Sequence, residues 1–171
     1  MIKRKILLLC LIIPVIQYAC EKATDPSGGD IVINEVLPVN KTIIADQNGE
    51  YDDWIELYNI SSSSKDISGY SLSDNKKDIS KWQIPSGTSI PGKGYLIIWA
   101  DKDSLQIGLH ANFKLSSMGE EVLFSTPEGN VIDKVIFPGQ TQELSYSRNP
   151  DGTGTFKWQI PTFNSSNNIS R

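Results

Sequence analysis

The sequence predicts an all-β domain, a sandwich or barrel, on three observations. Short apolar runs rich in β-branched and aromatic residues recur from Ile31 onward. Gly, Pro, Asn or Asp bound almost every one of them. No long segment repeats its apolar residues at the helical period.

The chain has 171 residues and opens with a segment that stands apart from this pattern. Lys3, Arg4 and Lys5 precede the apolar run "ILLLCLIIPVI" at residues 6–16, which is shorter than the roughly 20 residues a helix needs to cross a bilayer. A basic start, a short apolar core and the small Ala19 make residues 1–19 a secretory signal. From Glu21 to Asp30, "EKATDPSGGD" is polar and rich in Pro, Gly and Ser, a flexible tether.

The strands then follow in order. "IVINEVL" begins at Ile31, and "WIELYN" (54–59), "SGYSLSD" (68–74), "KWQIP" (81–85) and "GYLIIWA" (94–100) come next. "EEVLFST" (120–126) and "NVIDKVIF" (130–137) complete the series. Three reversals have explicit chemistry: Asn48-Gly49 allows positive φ, "TPEGN" joins two strands as a hairpin, and "NPDG" at 149–152 turns tightly. "KWQIP" occurs again at 157–161, but its flanks differ, so it marks one local solution used twice and no solenoid repeat.

Composition excludes several classes of function. Removing residues 1–19 takes three positive charges, leaving 13 Lys and Arg against 20 Asp and Glu, which argues against nucleic acid as the main partner. Beyond Cys20 there is no cysteine, so a disulfide framework, a thiolate metal site and a cysteine nucleophile are all excluded there.

"QYAC" resembles the lipobox of bacterial lipoproteins, in which the signal is cut before the cysteine and that cysteine carries the lipid. The resemblance implies lipid attachment at Cys20, with the acyl chains holding the protein on a membrane. Glu21 stands where an aspartate would favour retention in the inner membrane, so the outer membrane, on its periplasmic or cell-surface side, is the expected location.

The segments "INEV", "DWIELYN", "SGYSLSD", "WQIP" with "IPGKGYLIIWA", "LHANFKLSSMGEEVLF", "GNVIDKV" and "PTFNSSN" are together similar to the lamin tail domain in its bacterial form. The similarity covers about residues 31–167 and implies an immunoglobulin-like β-sandwich. It also implies a non-enzymatic binding or attachment module for a protein or glycan, with no active site and no cofactor. No heptad pattern accompanies it, so a filament rod is not implied.

Side chains alternate along a strand, so Ile55 and Leu57 share one face of "DWIELYN" and Trp54, Glu56 and Tyr58 share the other. The aliphatic face is the expected core. The Trp54, Glu56 and Tyr58 face is then the expected ligand surface. Trp82 and Trp158 fall on the same face as Ile84 and Ile160, and Trp99 on that of Ile97, which predicts core positions for all three indoles.

Glu35, Asp46, Asp52 and Asp53 are weak calcium candidates around the Asn48-Gly49 turn, their spacing unlike an EF-hand loop. With Glu56 they define the alternative to a binding module, a small cation-dependent hydrolase. His110, the single histidine, is expected to pack or hydrogen-bond in a loop before a strand, because no G-x-S-x-G accompanies it.

Overall fold

The computed structural model describes residues 29–168, so residues 1–19 and Cys20 lie outside it. Among the described residues twelve strands run in the order β1 (Ile31–Leu37), β2 (Asp53–Asn59), β3 (Lys65–Asp66), β4 (Ser71–Ser73), β5 (Trp82–Gln83) and β6 (Ser89–Ile90). They continue as β7 (Tyr95–Ala100), β8 (His110–Ala111), β9 (Gly119–Ser125), β10 (Val131–Pro138), β11 (Ser145–Asn149) and β12 (Thr155–Gln159). Among the described residues there is no helix.

The larger sheet has the order β12-β11-β1-β2-β7-β8 and the smaller one β10-β9-β4-β5, with β3 and β6 forming a separate pair. Every pairing is antiparallel except β7 with β8. Ile33, Ile55, Leu57 and Ile98 from the larger sheet meet Leu72, Val122, Phe124 and Val135 from the smaller in one core. The predicted all-β sandwich is therefore the fold observed. The turns also form as the sequence predicts, with Gly49 at φ 85° after Asn48 and Gly152 at φ 71° between β11 and β12.

A bulge in β1 sets up the polar interior. Ile33 faces Leu57 and Glu35 faces Glu56, so Asn34 is one residue too many on β1. Ile33 and Val36 can then both point into the core, while Asn34 and Glu35 turn to the opposite side. Near the bulge the Ile33 amide donates to Asp133 Oδ2 of β10 at 2.8 Å. Arg148 of β11 donates to both Asp133 oxygens at 3.0 and 3.2 Å and to the Ile33 carbonyl at 2.9 Å, tying the two sheets together.

Candidate functional site

The face of β2 opposite the core is not a surface. Trp54 and Glu56 are both 0% exposed, which corrects the expectation that they form a ligand surface with Tyr58. The physical reason is a cover from the far end of the chain. Phe163 meets Trp54 edge-on at 5.1 Å between ring centroids, Trp54 meets Trp99 edge-on at 6.0 Å, and Leu37 joins them in a second apolar cluster. Tyr58 is half-buried and lies beside Tyr95, with ring centroids 4.8 Å apart.

The same segment seals the carboxylates. Thr162 donates its amide to Glu35 Oε1 at 3.0 Å and its hydroxyl to Oε2 at 2.6 Å. Asn34 Nδ2 donates to Glu56 Oε1 at 3.0 Å and to Asp151 Oδ1 at 3.0 Å, while the Asn167 amide donates to that same Asp151 oxygen at 2.9 Å. Asn167 is itself 0% exposed and donates through Nδ2 to the Asn34 carbonyl at 3.2 Å.

Burial, and next the charge of Glu35, push the Glu56 carboxyl up to about 9, so it is protonated at neutral pH. Burial also raises Glu35, against the lowering effect of its Thr162 hydrogen bonds. The Asn164 amide lies near Glu56 and favours its charged form, yet among the described residues Oε2 has no hydrogen-bond partner.

The five acidic candidates do not converge on one centre. Glu35 and Glu56 belong to the sealed pair. Asp53, raised to about 7 by burial and then by the charge of Asp52, borders a cavity of about 310 Å³ with Asn40, Lys41, Ser117 and Thr141. Asp46 and Asp52 join Glu50 in the β1–β2 loop, where one carboxylate oxygen from each lies within 4.8 Å of the others. Asp52 lies four residues from Glu56 along the chain, roughly 13 Å of strand.

His110 departs from its expected loop position: it stands in β8, paired with Trp99 of β7, and is 2% exposed. Its Nδ1 is hydrogen-bonded to Asp101 Oδ2, and its Nε2 faces Gln47 Nε2 at 2.8 Å. Asp46, Asp101 and His110 form a second group whose potential ligand atoms lie within 4.8 Å of one another. Asp101 carries no sequence signal of this role, because only the short parallel pairing of β7 and β8 brings it to His110. Among the other indoles, Trp82 and Trp99 are buried, while Trp158 is half-buried and Ile160 is 67% exposed because β12 is an edge strand.

Two packed sheets of mostly antiparallel strands, with no helix among the described residues, make a scaffold of the immunoglobulin-like class. The sequence matches the Lamin Tail Domain family over residues 24–138, and the chain belongs to that family. No curated protein matches the chain. β11, β12 and the covering segment 161–167 lie beyond the family match, yet β11 pairs with β1 and Thr162 binds Glu35. The family identifies an immunoglobulin-like module of the binding or attachment type.

Proposed function

We propose that the protein is a lipoprotein of the bacterial outer membrane, processed before Cys20, whose residues 21–30 tether a non-enzymatic lamin tail module. That module binds a protein or glycan partner. One observation carries the non-enzymatic reading: Glu35 and Glu56, the closest-set acids in the strand register, are both 0% exposed beneath residues 161–167. A substrate cannot reach carboxylates that the chain itself covers, and a catalytic acid must come within hydrogen-bond reach of its target. Anchoring is supported by the basic start, the apolar run and the Ala19-Cys20 pair.

Fractionation of cells carrying Cys20→Ser tests the anchor. The parent chain is expected in the membrane fraction and the variant in the soluble fraction. Membrane retention of the variant would reject processing at Cys20.

A further inference from the structure

By alternation Asp53 continues the inward face of β2 that carries Ile55 and Leu57, so the core side of that strand begins with a carboxylate. A carboxylate turned toward an apolar core is costly unless hydrogen bonds satisfy it. Asp53 borders the cavity of about 310 Å³ at this end of the sandwich, together with Pro38, Val39, Lys41, Ser117 and Thr141.

The walls of the cavity are held by contacts made outside it. Glu143 Oε1 accepts the Lys41 and Thr42 amides at 2.5 and 2.6 Å, which ties the β10–β11 loop to the β1–β2 loop. The Gln140 amide donates to the Ser117 carbonyl at 2.9 Å, which ties it to the loop before β9. Asn40 Nδ2 donates to the Ile44 and Asp52 carbonyls at 2.7 and 2.8 Å. The cavity is therefore preformed, as ligand sites commonly are.

The chemistry of the lining selects the ligand. Asp53 feels the charges of Asp52 and Lys114, and Lys41 stands at the cavity, so two acids are balanced by two bases. A neutral ligand fits that balance better than an ion. A carboxylate has about four acceptor positions, and the Asn40 and Leu115 amides take two of those on Asp53, leaving two for neighbouring hydroxyls. Ser117 and Thr141 add hydroxyls that donate and accept, Lys41 adds an ammonium that donates, and Pro38 and Val39 supply an apolar wall. A sugar ring has the same division, with hydroxyls around its edge and C–H groups on its face. At about 310 Å³ the cavity lies at the small end of ligand sites, roughly 300–1,000 Å³, so it suits one ring and not a chain of them.

We propose that this cavity binds the terminal pyranose of a neutral glycan, with Asp53 accepting two adjacent hydroxyls and Lys41, Ser117 and Thr141 bonding the others. The inference rests on the reading of the module as a binder and names a glycan as its partner.

Saturation-transfer NMR on the full-length protein, in a detergent without a sugar headgroup, tests the site with the methyl pyranosides of glucose, galactose, mannose and N-acetylglucosamine. At least one is expected to bind with a Kd of about 1 mM. Asp53→Asn keeps the shape and removes the charged acceptor, and is expected to weaken binding about tenfold. Ser117→Ala with Thr141→Val, both at exposed positions that leave the core intact, is expected to weaken it about fivefold. Transfer to none of the four sugars up to about 50 mM, or an unchanged affinity in either variant that keeps the parent's melting transition, would overturn the proposal and leave the module as a binder of protein. Cleavage of a bound methyl pyranoside to free sugar would keep the sugar site and overturn the non-enzymatic reading instead.

Discussion

Two groups of carboxylates, less than one strand apart, solve the same electrostatic problem in opposite ways. Glu35 and Glu56 face each other across β1 and β2 beneath a segment that excludes water, and Glu56 answers by holding its proton. Asp46, Glu50 and Asp52 sit on a partly open loop, where Glu50 is exposed and the amides of Asn48 and Glu50 and the side chain of Gln106 hydrogen-bond to the group. The lesson is that access, set by what packs above a carboxylate, decides its chemistry. Residue type does not.

The largest way to break this contrast is to remove the apolar half of the seal. Trp54 touches Trp99 and Phe163 at full burial, so Trp54→Ala is expected to cost about 3–5 kcal/mol, read by denaturant unfolding. A cost within about 0.5 kcal/mol, the range of surface substitutions, would mean that the face is open in solution.

A smaller effect is expected from the polar half. Thr162→Val keeps the shape and removes the hydroxyl that donates to Glu35 Oε2. The expected loss is about 1–3 kcal/mol, because a buried acceptor is left short of a donor.

The fold was legible wherever a strand was long enough to alternate. β1, β2, β7, β9 and β10 fall on the runs "IVINEVL", "WIELYN", "GYLIIWA", "EEVLFST" and "NVIDKVIF" within a residue or two. β3, β6 and β8 have two residues each, too few to carry a period, so they arise from tertiary pairing alone.

The candidate site was legible in half. Alternation correctly separated Ile55 and Leu57 from Trp54 and Glu56, but it assumed that the second face met solvent. Its cover, Thr162 and Phe163, comes more than a hundred residues later, and no local pattern at β2 announces it. The bulge at Asn34 was equally hidden, because two successive polar residues in a strand normally point to opposite faces.

The central claim is that segment 161–167 seals Glu35 and Glu56 inside the domain, and the pH dependence of stability tests it most directly. The Glu56 carboxyl rises from an ordinary 4.5 to about 9, so the folded chain holds a proton that the unfolded chain releases above pH 4.5. This contribution is full below pH 4.5 and is lost progressively as pH climbs to about 9. Glu56→Gln, which is neutral throughout, removes it. Denaturant unfolding from pH 5 to 9 is expected to show the parent losing stability faster than the glutamine variant, with the gap widest at the alkaline end. Curves that keep a constant separation across that range would show that Glu56 titrates as an exposed acid, and the sealed pair would be contradicted.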